Sequence, residues 1–254
     1  MTRSRPTREN IVNGNPADAE EPHRREIRSF VRREGRMTDS QKRAIEELWP
    51  RYGLDAPAGR GLGPLPQAAF LAQAFGRAAP VVLEIGFGNG EHLLARAQAE
   101  GDKDFLGVEV HRPGVGRVLN RAAAAELRNL RVACADAIEV LRDWLPGRCL
   151  AEIVVYFPDP WPKKRHHKRR LVQPEFGRLA ASRLAPGGLL RLATDWAHYA
   201  THMRLTLDAE PLLENLAGVA GFVARPAERP LTRFETRGVK LGHAVFDLIY
   251  RRVG

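Results

Sequence analysis

Cysteine is nearly absent from this chain: its 254 residues include only Cys134 and Cys149, in neither a CxxC pair nor a Cys/His spacing. That excludes a disulfide framework and a thiolate zinc site, and it is the cysteine usage of a reduced, intracellular protein. Long apolar runs are missing too, since none approaches the roughly 20 residues that a membrane span needs. The N-terminus is rich in arginine and has no apolar core segment, so no secretory signal is read there. A soluble, cytoplasmic protein is expected. Internal repeats and low-complexity tracts are also lacking, which excludes a solenoid.

What is abundant is positive charge. Hydrophobic residues at 44% and charged residues at 28% fit an ordinary globule, but a net charge of +10 points to a polyanionic partner. Residues 163–170, KKRHHKRR, hold six Lys or Arg and no acid; without them 34 basic residues face 30 acidic ones, so more than half of the excess sits in one strip. A solvated loop is the ordinary reading of such a run. Its position favours a located contact with phosphates, because it directly follows IVVYFPDPWP. There Ile153 to Phe157 reads as a buried parallel strand ended by Pro158 and Pro160. Each proline biases the residue before it away from helix, so Phe157 and Asp159 are expected to be extended, with Asp159 just past the strand's C-terminal end. Ligands sit there in open α/β sheets.

Residues 1–35 alternate Arg with Glu without an apolar period and read as a flexible arm. Thr38, with Gln41 three residues on, forms a capping box before a helix of about 39 to 49. Residues 53–66 form a linker rich in Pro and Gly, and Leu65, Ala68, Ala69, Ala72 and Phe75 mark a second helix able to pack on a sheet edge. From Pro80 onward strands alternate with helices, which means a mainly parallel sheet covered on both faces. Tyr199 to Leu213 is predicted to be the last helix. Gly221 to Arg225 and Ala244 to Arg251 are strand-like and are expected to close the sheet as an antiparallel pair. The predicted organisation is an arm over 1–35, helices over 36–78 packing on the core, and a main domain over 79–254.

EIGFGNG, residues 84–90, is a glycine turn that leaves a strand and opens a helix. Gly86, Gly88 and Gly90 let the backbone turn tightly and approach a ligand, with helix N–H groups facing it. A plain tight turn is the competing reading. The spacing is GxGxG, not the GxGxxG of dinucleotide sites, which disfavours a nicotinamide dehydrogenase. The next strand, FLGVEVH, ends in Glu109, where an acid can bind both ribose hydroxyls. Asp136, after the third strand, is placed either to reach an adenine edge or to cap the following helix. Glu84, a carboxylate before the glycines, suits a ligand with an amino-acid end and a cationic centre, as in S-adenosylmethionine.

These features together resemble the class I S-adenosylmethionine-dependent methyltransferases. The resemblance implies an α/β, Rossmann-like seven-stranded sheet, mostly parallel with the last strand antiparallel, and helices on both faces. Adding FPDPWPKKRHHKRRLV, LATDWAHYATHM, LTRFETRG and GHAVFDLIY, the chain over roughly 27–251 looks like the bacterial tRNA (guanine-N7)-methyltransferase family, whose opening segment RSFVRREGRMTDSQ also resembles. The resemblance implies methyl transfer from S-adenosylmethionine to guanine N7 in the tRNA variable loop, at position 46, in the cytoplasm. It places Glu84, Gly86, Gly88, Gly90, Glu109, Asp136 and Asp159 at the cofactor, with Asp159 catalytic. Lys163, Asp195, Thr232, Arg233, Phe234 and Glu235 correspond to substrate positions, and Arg165, Lys168, Arg169 and Arg170 to an RNA-contact strip. Pro162 stands where many relatives have His, and Asn89 fills a variable position of the turn. Rival readings are another base methyltransferase of this fold and a noncatalytic RNA-binding protein built on it.

Several residues keep two readings. Asp195 is either a second guanine contact or the N-cap of the segment from Trp196. Trp161 and Phe234 either stack on an unpaired base or pack in the core. Glu235 is placed to pair with Arg237. His198 and His202, four apart on a predicted helix, have a zinc-like spacing but no third ligand, so no metal is expected.

Overall fold

The computed structural model describes residues 35–57, 67–227, 229 and 244–254. The flexible-arm expectation for 1–34 and most of the linker, 58–66, therefore fall outside the described residues, as do Thr232, Arg233, Phe234 and Glu235.

The elements run α1 (Asp39–Tyr52), α2 (Gln67–Phe75), β1 (Val81–Ile85), α3 (Glu91–Ala99), β2 (Asp104–Val108), α4 (Arg112–Ala124), β3 (Leu130–Ala133) and α5 (Ala137–Glu139). A π-helical turn over Val140–Trp144 extends α5, and then come β4 (Leu150–Tyr156), a 3-10 segment over Lys164–Arg169, α6 (Pro174–Arg183), β5 (Leu184–Thr194), α7 (Ala197–Asp208), β6 (Leu213–Asn215) and β7 (Phe246–Arg252). One seven-stranded sheet has the order β3-β2-β1-β4-β5-β7-β6. Strands β1 to β5 are parallel, and β7 runs antiparallel to both β5 and β6. The order reverses between β1 and β4, and in open α/β sheets ligands bind outside the carboxyl ends at such a point.

Both faces of the sheet are covered. Val82, Phe105, Leu130, Val132 and Val154 pack with Leu93 of α3, Val118 and Leu119 of α4 and Tyr52 of α1. The opposite face packs Leu83, Leu106, Ile153, Val155 and Leu192 with Leu141, Phe176, Met203 and Phe75. Burial on both sides is why these strands read as apolar runs without alternation.

The Thr38 capping box is present, with Thr38 Oγ1 accepting from the Gln41 amide at 3.3 Å and Gln41 Oε1 accepting from the Thr38 amide at 2.9 Å. Helix α1 continues past the expected end at 49, through Pro50 to Tyr52. The side chain of Pro50 is exposed, and the Gly53 amide closes the last turn on the Trp49 carbonyl at 2.7 Å. Helix α1 crosses α4 at Gly116, where a Cβ would stand 2.7 Å from the Gln41 carbonyl oxygen.

The closing strands differ from the expectation. Helix α7 stops at Asp208, ahead of Pro211, and β6 is the short Leu213–Asn215. Pro211 disfavours helix at Glu210 and so frees the apolar Leu213 to pair with the sheet. The segment from Gly221 to Arg225 contributes one antiparallel bridge, Val223 to Asp247, and no strand. Gly221 adopts φ 75°, a left-handed conformation that interrupts a regular strand there.

Near the start of β4, Glu152 is buried and takes Arg96 Nη1 at 2.7 Å and Arg191 Nε at 3.0 Å. Arg96 also binds Glu100 at 2.6 Å and holds that carboxyl well below its usual range, at about 2. Removing one member of a buried pair leaves the other charge without compensation. Arg96→Ala is expected to destabilise the fold by about 3–5 kcal/mol, read as a lowered urea midpoint with an unchanged slope.

Candidate active site

The carboxyl ends of the five parallel strands each carry or precede one of the acids singled out in the sequence. Glu84 is the penultimate residue of β1, Glu109 follows β2 directly, Asp136 and Asp159 lie three residues past β3 and β4, and Asp195 follows β5. Parallel pairing alone brings these five side chains to one edge.

Glu84 is buried, and its carboxylate accepts a hydrogen bond from His92 Nδ1 of α3 at 2.7 Å. His92 in turn meets Tyr156 of β4 edge to face at 5.0 Å. Burial, then the nearby Glu152 carboxylate, pushes the Tyr156 phenol upward, so it stays protonated. His92, the partner of Glu84, is a residue that sequence reading did not single out. Its signal was weak: a histidine eight residues after an acid, across a glycine turn, matters only once both are known to be buried.

After β1 the backbone turns through Gly86, Gly88 and Gly90 at φ 71°, 55° and 72°. At Gly86 and Gly88 a Cβ would meet nothing within 4 Å, so the front of the turn is an open cradle. Its back is closed. A Cβ on Gly90 would stand 2.2 Å from Val118, and one on Gly114 would stand 2.3 Å from the Gly88 carbonyl oxygen, so the first turn of α4 presses on the glycine turn. Glu109 is oriented by the same backbone: Oε2 accepts from the Gly88 amide at 2.9 Å, and Oε1 from the amides of Val110 and His111 at 2.7 and 3.0 Å. Asp136 caps α5, accepting from the Ile138 amide at 2.8 Å. A cavity of about 830 Å³ lies alongside, lined by Trp49 of α1, by Val110 next to Glu109 and by Ala135 next to Asp136.

Strand β4 ends at Tyr156, one residue earlier than expected, although the Phe157 amide still bonds to the Ala193 carbonyl of β5 at 2.8 Å. Phe157 is not extended. It adopts φ 53°, and Trp161, also before a proline, adopts φ 45°. The proline bias is overridden here by tertiary contacts of the flanking side chains. Asp159 is exposed in the middle of the turn. Asp195 is not the cap of α7: Trp196 holds the N-cap position without a side-chain cap bond, and Thr194 Oγ1 accepts from the Trp196 amide at 3.2 Å.

The basic strip forms 3-10 turns from Lys164 to Arg169, with residues three apart on the same side. Lys163, Arg165 and Lys168 are exposed. Arg169 lies over the Trp161 ring at 5.2 Å, and His166 meets that ring edge-on at 5.7 Å. Desolvation, then the cations of Arg165, Arg169, Lys163 and Lys168, holds His166 below the usual histidine range. Arg170 departs from the expected RNA contact. It is 2% exposed and turned inward, donating from Nε to the Pro160 carbonyl at 2.9 Å. Its terminal nitrogens approach His198 Nδ1 at 3.3 and 3.2 Å. The His202 ring donates from Nε2 to the Val172 carbonyl at 2.9 Å, so both histidines of the zinc-like pair have protein partners. No metal-holding cluster occurs among the described residues.

A family model described as "Putative methyltransferase" matches residues 78–248. The chain is 56% identical over 229 residues to the tRNA (guanine-N(7)-)-methyltransferase of Alkalilimnicola ehrlichii, covering 90% of this chain and 94% of that protein. It is 55% identical over 229 residues to the protein of the same name from Methylococcus capsulatus, covering 90% of this chain and 95% of that protein. Among solved structures, a variant of the 16S rRNA (adenine(1408)-N(1))-methyltransferase of Catenulisporales acidiphilia superposes with a TM-score of 0.51 at 18% identity, over 79% of this chain and 98% of that one. The last likeness concerns the fold alone.

The packing of α4 against the glycine turn is open to direct test. Gly114→Ala is expected to displace the Gly88 carbonyl and weaken S-adenosylmethionine binding at least tenfold by calorimetry, about 1.4 kcal/mol, whereas Gly101→Ala, with open space at its Cβ, leaves it unchanged.

Proposed function

The chain belongs to the tRNA (guanine-N(7)-)-methyltransferase family, and from that premise we propose that it methylates guanine N7 in the variable loop of tRNA, at position 46, with Asp159 as its catalytic residue. S-adenosylmethionine is the methyl donor, and it supplies an electrophilic methyl group on a sulfonium centre. The residues fit such a ligand, because the front of the glycine turn is open at Gly86 and Gly88 and Glu109 is already oriented by three amides. Glu84 faces the amino-acid end, Glu109 the ribose hydroxyls, and Asp136 the adenine edge with the oxygen its cap bond does not use. The cavity beside Val110 and Ala135 is where the purine of the donor belongs.

Guanine N7 carries a free lone pair and no proton, so attack from it requires no base. The chain's task is to align N7 with the methyl group and to stabilise the positive charge that develops on the purine. The observation that carries the assignment is the placement of Asp159: an exposed carboxylate three residues past β4, beside the point where the strand order reverses. It accepts hydrogen bonds from the guanine N1–H and amino group, whose acidity rises as N7 becomes methylated. Asp195, directly after β5 and ahead of the N-cap of α7, supplies a second acceptor at the same edge. Lys163, Arg165, Lys168 and Arg169 hold the RNA through its phosphates, and Thr232, Arg233, Phe234 and Glu235 complete the substrate side. Residues 79–254 carry the methyltransferase domain, the helices of 36–78 buttress it, and the arm of 1–35 adds arginines to the RNA track. No described helix is long and apolar enough to cross a membrane, and with two free cysteines the protein suits a reducing cytoplasm.

Two measurements test this reading. Asp159→Ala is expected to reduce transfer of labelled methyl to tRNA by about 10²–10³-fold with cofactor affinity little changed, and near-normal turnover would reject the assignment. Arg165→Glu with Lys168→Glu is expected to weaken tRNA binding and to flatten its dependence on log salt by about one unit for each phosphate no longer neutralised; an unchanged slope would remove the strip from the interface.

A further inference from the structure

The turn from Phe157 to Trp161 begins and ends in left-handed backbone. For bulky side chains such conformations cost on the order of 1–3 kcal/mol each and persist only where the surroundings over-determine them. Two buried guanidinium groups do so here. At the start of the turn, Arg229 is 1% exposed, lies over the rings of Tyr156 and Phe157 at 5.8 and 5.7 Å, and grips Asp247 of β7 at 2.8 and 3.0 Å. At its end, Arg170 holds the Pro160 carbonyl, lies over the Tyr199 ring at 4.8 Å and reaches His198. Asp159 projects into solvent between these two anchors.

Only a guanidinium meets both demands. It is planar enough to stack on a ring while its donors fan out in a fixed fork, which a lysine ammonium cannot reproduce. Arg170 also links two strand ends. The carbonyl it binds belongs to the residue after Asp159, and the imidazole it binds stands on α7, the helix that begins just after Asp195.

We propose that Arg170 and Arg229 are positioning residues for methyl transfer: they clamp the strained turn from both ends and so fix Asp159 relative to Asp195. The inference rests on the reading of Asp159 as the catalytic residue. It removes Arg170 from the RNA-binding strip, which then ends at Arg169, and it gives Arg229 a task three residues ahead of Thr232 in the sequence.

The test is single-turnover methylation of tRNA by the full chain, with tRNA and cofactor affinities and thermal midpoint measured for each variant. Arg170→Met and Arg229→Met are expected to slow the chemical step about 10- to 100-fold, the cost of a misplacement near 1 Å, with both affinities essentially unchanged. Arg170→Lys is expected to restore little. In an Asp159→Asn background, Arg170→Met should add almost nothing, because it acts through the same carboxylate. His198→Ala, on the exposed side of α7, is a milder variant expected to slow the same step if Arg170→Met does not fold. A normal chemical rate in Arg170→Met and His198→Ala alongside a crippled Asp159→Asn overturns the positioning role alone. A normal rate in Asp159→Asn overturns the catalytic reading beneath it. Equal losses in both backgrounds, tracking the thermal midpoint, would reduce Arg170 to a stabilising residue and also overturn the proposal.

Discussion

Parallel pairing of β1 to β5 is the constraint from which the rest of the molecule follows. Strands that all point one way deliver all their carboxyl ends to one edge, and the strand order reverses there between β1 and β4, which is where ligands bind in open α/β sheets. Glu84, Glu109, Asp136, Asp159 and Asp195 are spread over more than a hundred residues of sequence, yet each lies within three residues of the carboxyl end of a strand. The antiparallel β7 meets that edge with its first residues, Phe246 pairing with Thr194 and Asp247 with Ala193. Its role is to seal β5 and to supply Asp247 as the counter-charge for Arg229.

Two kinds of backbone irregularity meet at the edge, and they have different physical origins. The glycine turn reaches positive φ at residues without a Cβ, so its conformation is nearly free of steric cost and leaves room in front for a ligand. The proline-rich turn reaches positive φ at Phe157 and Trp161, where the cost is real. It is offset by stacking and charge-assisted hydrogen bonds from buried arginines. The first turn is left open in front, and the second is held by side chains at both its ends.

Charge serves two purposes within a few residues. Lys163, Arg165 and Lys168 remain in solvent, where their interactions are long-ranged and sensitive to salt. Arg170 ends the same run but is buried against Pro160, Tyr199 and His198. In the 3-10 turns residues three apart share a side, so a uniform row of basic letters is sorted into outward and ring-facing members by geometry that the letters do not display.

Strand and helix order, the glycine turn, the capping box at Thr38 and the strand-end acids were legible in the sequence, because apolar runs, glycine spacing and cap residues act locally and do not depend on distant partners. The identity of β6 was not, since three residues of strand give no period and Leu213 continued a helical one. The caps of the helices after β3 and β5 were open in the sequence, because an acid after a strand can cap or face a ligand: Asp136 caps α5, whereas α7 has Trp196 at its N-cap position and no side-chain cap bond. What the sequence by itself determined is the order of strands and helices, the glycine turn, the acids near the strand ends and the basic strip after β4. Only the tertiary structure decided that His92 holds Glu84, that Arg170 turns inward, and that Phe157 leaves the extended region, because each of these depends on a partner in another part of the chain.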